Sequence, residues 1–402
     1  MLTAAMSFCC LDSFWKRKTS KDQAPHNEIG DVISSIPDVK VYPYAELKIA
    51  TNIFHLDNKI GSGGFGSVYK GTLKDGTVVA VKQLSAQSKQ GVKEFLTEIA
   101  TISDVQHENL VKLHGCCAEE EHRILVYEYL EKNSIAQALL DNTRMDMDWT
   151  MRAKICMGTA RGLSYLHEEL VPHIVHRDIK ASNVLLDRDL NPKIADFGLA
   201  KLFPDNVTHI STRVAGTIGY LAPEYAMRGQ LTKKADIYSF GVLVLEIISG
   251  RSNTKSTFPL EEQFLLEWTW QLREESRLLD IVDPRLEEYP KEEVLRFIKV
   301  ALLCTQAASN FRPSMSQVVA MLSKEININE NLLSRPGFIS DFKNLKVSAG
   351  TSRPPARTNL NAFHNAQVTA MHRGVSSSST TTGNSTSVVS SSPATITQLE
   401  PR

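Results

Sequence analysis

Gly61-Ser62-Gly63-Gly64-Phe65-Gly66-Ser67-Val68 is a run in which glycine recurs often enough for the backbone to approach a ligand and aim N–H groups at it. Such a loop suits phosphates, although a plain flexible turn explains it as well when it stands alone. A dinucleotide fold needs strand, loop, then helix, and here a strand pattern comes after the loop instead. Val79-Ala80-Val81 then ends on Lys82. An ammonium there either lets its stem pack while its head reaches water, or it meets a carboxylate. The next helical pattern offers Glu98 at the border of a stripe made by Phe95, Ile99 and Ile102, with Glu94 further off. A carboxylate beside a core face is costly unless paired, so Lys82 and Glu98 are read as partners.

Further along, His176-Arg177-Asp178-Ile179-Lys180-Ala181-Ser182-Asn183 gathers a carboxylate, an ammonium and an amide within one short stretch. Asp196-Phe197-Gly198 and Ala222-Pro223-Glu224 come after it. A charged loop explains any one of them by chance, but not all of them in this order behind the glycine run and Lys82.

The elements that must carry these groups are legible in outline. Ser67–Gly71 and Thr77–Val81 are strand-like runs around Asp75-Gly76, a strong hairpin signal. A helix is predicted over Gly91–Ser103, a strand over Ile124–Tyr127, and an amphipathic helix over Met151–His167. Asp236–Ser249 is apolar nearly all round, as in a helix buried in a core, and Gly250 suits its C-cap. A small β-rich part thus precedes a larger helical part, an α+β arrangement with two lobes. No repeat at solenoid or propeller periods is evident.

The 402 residues allow a full core without disulfide staples. Lys+Arg and Asp+Glu are both 45, which argues against a general nucleic-acid binder. Cys9, Cys10, Cys116, Cys117, Cys156 and Cys304 match neither a disulfide framework nor a zinc spacing and read as reduced thiols. Met1–Trp15 lacks the basic start of a secretory signal. No run reaches the length of a membrane span, and the nearest, Ile237–Ile248, carries Glu246. Residues 1–40 read as a mobile arm. Residues 340–402, with the run Ser376–Thr382, read as a disordered tail too poor in large apolar groups to offset chain entropy.

Taken together, these motifs resemble those of a eukaryotic protein kinase. Details such as Gly216–Glu224, Asp236–Gly241, Glu94–Ile99 and His107–Val111 are similar to the plant receptor-like cytoplasmic Ser/Thr kinases of the Pelle-like group, and within them to the cold-responsive protein kinase-like proteins. The resemblance implies a bilobal kinase domain over 54–330, flanked by the arm and tail, with ATP and Mg²⁺ as cofactors and a protein as substrate. It implies that Asp178 accepts the substrate hydroxyl proton, Lys180 steadies the γ-phosphate, and Asn183 and Asp196 hold Mg²⁺. Lys82, fixed by Glu98, would contact the α- and β-phosphates beneath Ile60, Gly61, Ser62, Gly63, Gly64, Phe65, Gly66, Ser67 and Val68. Adenine would lie between Val68 and Ala80 above and Leu185 below, bonded to the backbone of Glu128 and Leu130 just past Tyr127. Asp236 would tie the catalytic loop to its helix, and Glu224 would pair with Arg312. Lys180 with Thr217 marks Ser/Thr specificity, with dual specificity as an open alternative.

Arg177 next to Asp178 suggests regulation by phosphate on the segment 196–224, where Ser211 and Thr212 resemble the family's activation sites. The bland alternative is that Thr208 and Thr212 cap turns. Cys9 and Cys10, in an apolar setting before Lys16-Arg17-Lys18, are lipidation candidates that would place the kinase at the inner face of the plasma membrane, with an upstream receptor kinase as a possible partner. Leu2 stands where myristoylation needs glycine, and two free thiols are the alternative reading. Asn206-Val207-Thr208 and Asn384-Ser385-Thr386 are sequons by pattern only. Against a signalling kinase in stress or cold response stand a pseudokinase scaffold and a small-molecule phosphotransferase. The first would lack Lys82, Asp178 or Asp196. The second does not need a complete Ala222-Pro223-Glu224 segment.

Overall fold

The computed structural model describes residues 39–63, 66–84, 89–141, 145–204, 207–253 and 262–337, together with Ile33 and Ile36. Cys9, Cys10, Gly64, Phe65, both asparagines of the sequons and the tail from 340 onward lie outside the described residues.

Alternation of side chains builds the first lobe. After the short helix α1 (Tyr44–Ala50), an antiparallel five-stranded sheet has the order β1-β2-β3-β5-β4. Its strands are β1 (Lys59–Gly63), β2 (Gly66–Thr72), β3 (Val78–Leu84), β4 (Leu113–Cys117) and β5 (Arg123–Glu128). Asp75-Gly76 closes the β2–β3 hairpin, and Asp75 Oδ1 accepts from Thr77 N at 2.9 Å. Ile124 and Val126 point to one face of the sheet, with Val79, Val81, Tyr42 and Leu47. Leu125 and Tyr127 point to the other, the period of two that a pleated strand imposes. On that second face lies α2 (Lys89–Ile102), whose Phe95, Ile99 and Ile102 are buried.

Described residues inside the stretch 1–40, read from sequence as a mobile arm, are packed into this lobe, together with those just after it. Ile33 and Ile36 are buried in the main core, and Val41 bridges to Cys116. Cys116 N donates to Lys40 O at 2.9 Å, and Tyr42 N donates to Cys116 O at 2.8 Å. The approach is so close that a Cβ on Gly115 would lie 2.1 Å from Lys40 O. Tyr44 stacks on His122 with ring centroids 3.7 Å apart.

The second lobe is helical. It comprises α3 (Trp149–Ser164), α4 (Pro223–Arg228), α5 (Lys233–Ser249), α6 (Leu265–Glu274), α7 (Lys291–Cys304) and α8 (Met315–Leu322). Among the described residues, two-stranded ribbons pair β6 (His173–Val175) with β9 (Lys201–Phe203), β7 (Val184–Leu186) with β8 (Pro192–Ile194), and β10 (Ile210–Ser211) with β11 (Gln230–Leu231). Helix α5 is buried from Ala235 to Ser249 and ends on Gly250 in the left-handed region. Helix α3 was expected to be amphipathic. It packs against α8, β8 and α5, so even Arg152 and Thr159 are buried. Arg152 is satisfied there by Asp283 at 2.7 Å and by the carbonyls of Met147 and Ile247. Among the described residues no helix is long and apolar enough to cross a membrane. Cys116, Cys117, Cys156 and Cys304 are unpaired and buried, and burial pushes the thiols of Cys116 and Cys304 up to about 12.

Candidate active site

The glycine run is the tip of the β1–β2 hairpin, where Gly63 faces Gly66. Gly66 has φ +139°, and a Cβ on it would lie 2.0 Å from Gln83 O, so the turn cannot take a side chain there. Beneath the hairpin is a cleft of about 420 Å³. Of the sequence-predicted residues, Ile60, Gly61, Ser62, Val68, Ala80, Lys82, Glu98, Glu128, Leu130, Asn183, Leu185 and Asp196 line it. Gly63, Gly66 and Ser67 are in the hairpin but not in the lining. Val111, Asn133, Ser134, Ala136 and Gln137 also line the cleft, and sequence reading did not single them out. They lack a distinctive type or spacing: Asn133 to Gln137 follow the chain past Leu130, and Val111 donates its N–H to Ile194 O at 2.9 Å.

At the inner end of the cleft, Lys82 Nζ lies 3.2 Å from Glu98 Oε2 and 2.6 Å from Asp196 Oδ1. Glu98 was expected at the border of the apolar stripe and Glu94 outside it. Both are buried, at 0% and 3% exposure. The reason is that α2 is covered on a second side by the residues after Asp196: a Cβ on Gly198 would sit 3.2 Å from Glu94 Cβ. Burial raises the Glu94 carboxyl above its ordinary range, partly offset by a hydrogen bond from Gln90. Glu98 Oε1 accepts from Phe197 N at 3.2 Å, so one carboxylate holds both Lys82 and the backbone beside Asp196.

Burial opposes charge on both Lys82 and Asp196, but their mutual attraction outweighs it. The Lys82 ammonium is held above its ordinary value with help from Glu98, and the Asp196 carboxyl below its own. Asp196 sits at φ +69° and Arg177 at φ +74°, strained values for side-chain-bearing residues. Phe197, fully buried, locks the first by packing edge-on against His176 at 4.8 Å between centroids.

The second group lies next to the cleft. Thr217 Oγ1 donates to Asp178 Oδ1 at 2.7 Å and accepts from Lys180 Nζ at 2.8 Å. Lys180 Nζ is 2.8 Å from Asp178 Oδ2, and Asn183 Nδ2 donates to that same oxygen at 3.0 Å and to Asp178 O at 2.9 Å. A carboxylate, an ammonium and a hydroxyl therefore form one tight triangle. With its NH₂ committed to Asp178, Asn183 keeps its carbonyl oxygen for the cleft, and Asp196 keeps its second carboxylate oxygen. Two hard oxygens suit Mg²⁺, which binds through few protein ligands plus substrate phosphates. Among the described residues no cluster of three or more His, Cys, Asp or Glu offers an all-protein alternative. The residues present fit the ion and the nucleotide.

The triangle is held from behind. Asp236 in α5 accepts from the backbone N–H of His176 and of Arg177, each at 2.7 Å, and lies 2.9 Å from His167 Nε2. Despite full burial, these bonds keep its carboxyl below the ordinary range. Arg177 donates to Leu199 O, Arg213 O and Tyr225 Oη. Tyr225 Oη also accepts from Ala215 N at 3.0 Å. Sequence reading missed Tyr225, although an aromatic beside Ala222-Pro223-Glu224 was the available signal. Arg177, Lys93, Lys201, Arg213 and Thr212 line a second cleft of about 640 Å³, while Ser211 is exposed in β10. Arg312, fully buried, grips Glu224 with two bonds of 2.8 Å.

Comparison with known proteins agrees with this geometry. Residues 54–322 match the protein tyrosine and serine/threonine kinase family. The chain is 57% identical over 343 residues to cold-responsive protein kinase 1 of Arabidopsis thaliana, covering 84% of this chain and 88% of that protein. It is also 57% identical over 308 residues to a probable LRR receptor-like serine/threonine-protein kinase of Arabidopsis thaliana, covering 76% of this chain but only 30% of that protein. A probable leucine-rich repeat receptor-like serine/threonine-protein kinase of the same plant is 58% identical over 299 residues, covering 73% of this chain and 29% of its own length.

Proposed function

The chain belongs to the protein tyrosine and serine/threonine kinase family and is a serine/threonine protein kinase; on that premise we propose a role for each group in the site. Asp178 takes the proton of a protein Ser or Thr hydroxyl as its oxygen attacks the γ-phosphorus of ATP. Lys180 steadies the transferring phosphoryl group, and Thr217 orients both side chains. Lys82, fixed by Glu98, contacts the α- and β-phosphates. Ile60 to Val68 cover the phosphates, while Val68, Ala80 and Leu185 sandwich the adenine and the backbone of Glu128 and Leu130 bonds its edge. Asn183 and Asp196 hold Mg²⁺. When bound, that ion neutralises charge on the phosphates during transfer.

The Asp178–Lys180–Thr217 triangle beside the Lys82–Glu98–Asp196 cluster carries this reading. Phosphoryl transfer asks mainly for positioning and charge stabilisation, and the two clusters supply both. Asp178→Asn removes the proton acceptor and Lys82→Met removes the phosphate contact, at little change in volume. Each is expected to abolish transfer of label from ATP to a protein acceptor while the circular dichroism spectrum stays that of the parent. Parental rates in either variant overturn the assignment.

Regulation and place in the cell extend the proposal. Phosphorylation of Ser211 and Thr212 orders the segment between Asp196 and Glu224, and the basic lining around Thr212 supports it. Acylation of Cys9 and Cys10 brings the kinase to the inner face of the plasma membrane, where an upstream receptor kinase engages it. Similarity to cold-responsive protein kinase 1 supports a role in stress or cold signalling.

A further inference from the structure

After α8 the chain turns back along the second lobe as a strap over 330–337, beyond the residues that match the kinase family. Lys299 Nζ donates to Glu330 Oε1 at 2.6 Å, a mostly exposed pair of small worth. Past it the contacts become buried. Ser334 Oγ donates to Gln306 Oε1 at 2.8 Å, and Pro336 is buried and bridges to Gln306. Tyr238, fully buried in α5, donates its hydroxyl to Gly337 O at 2.7 Å. A buried tyrosine hydroxyl needs a partner, and the strap supplies it.

These contacts close a ring. A Cβ on Gly337 would sit 2.2 Å from Pro223 Cγ, so the strap lies directly on the first residue of α4. Glu224, next in the chain, is gripped by Arg312 through two bonds of 2.8 Å. The Arg312 guanidinium lies over the ring of Tyr238, 5.0 Å from its centroid, and its Nε donates to Gln306 O at 2.7 Å. From Gly337 the path thus returns to Gly337 through Tyr238, Arg312, Glu224 and Pro223. Ser239, the next residue of α5, donates Oγ to Tyr220 O at 2.7 Å, and Tyr220 N donates to Thr217 O at 3.1 Å. The stretch from Thr217 to Pro223 is therefore held at two points from one turn of α5. Ser239 holds it directly at Tyr220, and Tyr238 holds it through the strap at Pro223.

We propose that the strap over 330–337 sets the affinity for the protein acceptor, with Tyr238 and Gly337 as positioning residues that act through Pro223. The inference rests on the roles proposed for Asp178 and Thr217, since an acceptor whose hydroxyl reaches Asp178 meets the stretch that begins at Thr217. Ile218 in that stretch is exposed and open to an acceptor. Thr217 itself is fixed by Asp178 and Lys180, and Asp178 by Asn183, through bonds that involve no residue of the strap. None of the residues lining the nucleotide cleft belongs to the strap, to α4 or to α5. Loosening the strap therefore shifts the surface that receives the acceptor and leaves the transfer step and the nucleotide site in place. One neutral hydrogen bond contributes a factor of about five to an equilibrium, which sets the scale for the Tyr238 hydroxyl.

The test measures label transfer from MgATP to casein by the full chain, with casein and ATP varied in turn. Tyr238→Phe removes the hydroxyl and keeps the ring for Arg312. It is expected to raise the KM for casein about fivefold, with kcat and the KM for ATP unchanged. Gly337→Ala is expected to shift the same constant in the same direction. Pro223→Ala removes the ring atom that the new methyl meets, so Gly337→Ala is expected to cost less in that background than in the parent. Glu330→Gln alters only the exposed pair and is expected to behave as the parent. A change that merely inactivates part of the enzyme lowers kcat and leaves both KM values alone. A fall in kcat at constant KM for casein therefore overturns the proposal, as does an equal rise in both KM values. A parental KM for casein in both Tyr238→Phe and Gly337→Ala overturns it too. If the parent itself transfers no label to casein, the catalytic reading fails and takes the proposal with it.

Discussion

Glu246→Gln is expected to remove a pH-dependent loss of stability. Glu246 lies within α5 at 0% exposure. Its two oxygens accept from Tyr220 Oη at 2.8 and 2.7 Å, and Oε1 also accepts from Asn253 N at 2.8 Å. Among the described residues no lysine, arginine or histidine pairs with it. Burial raises its carboxyl from the ordinary 4.5 to about 7, and the bonds from Tyr220 and Asn253 offset only part of that rise. The folded protein therefore holds this proton more tightly than the unfolded chain does. Stability from the neutral acid is complete below pH 4.5 and is lost as pH rises through 7. A gap of that size corresponds to on the order of 3 kcal/mol. Asp196 and Asp236, held below their ordinary values, give the opposite slope at lower pH. They are present in both proteins and cancel in the difference. Urea unfolding at pH 4.5 and at pH 8 is expected to show the Gln variant gaining ~3 kcal/mol on the parent over that interval. Parallel curves for the two proteins refute the argument that Glu246 is an unpaired buried acid.

Three further outcomes are expected from other parts of the molecule. Arg312→Ala leaves Glu224 without its partner and strips donors from the carbonyls of Gln306 and Lys234, so urea unfolding is expected to show a loss of ~3–5 kcal/mol. Arg312→Lys is expected to recover little, since an ammonium cannot reproduce two parallel bonds. Ser211→Ala/Thr212→Ala is expected to lower the rate of transfer to an added protein acceptor after preincubation with MgATP, and an undiminished rate removes the proposed activation sites. Cys9→Ser/Cys10→Ser is expected to shift the kinase out of the membrane fraction and abolish hydroxylamine-sensitive acyl exchange. Equal partitioning of parent and variant, with no thioester in either, leaves the pair as plain thiols.

Groups that act on one substrate were readable from sequence because many of them are neighbours along the chain. Asp178, Lys180 and Asn183 lie within one six-residue stretch, and the Asp75-Gly76 hairpin places Lys82 by local rules alone. The buried nature of Asp236–Ser249 was readable for a similar reason, since a helix apolar all round has no face to give to water. What could not be read is which surfaces meet. Glu94 was set outside the core because one stripe of α2 was visible and the cover supplied by Gly198 was not. Residues 41–54 were assigned no element from sequence, yet they close the outer face of the sheet through Tyr42 and Leu47.

The groups that hold the site in shape share this distance from it. The bonds from Asp236 to the amides of His176 and Arg177 join residues 60 and 59 positions apart, and Arg152 finds Asp283 across 131. None of them touches the reacting atoms. Arg177 and Asp196 occupy strained backbone conformations that persist only because such partners fix them from several sides. The chemistry is therefore written locally and its rigidity is not. A substitution at Asp236 or Tyr225 should disturb the geometry around Asp178 as surely as one at Thr217, although only Asp236 and Thr217, and not Tyr225, were read from the motifs.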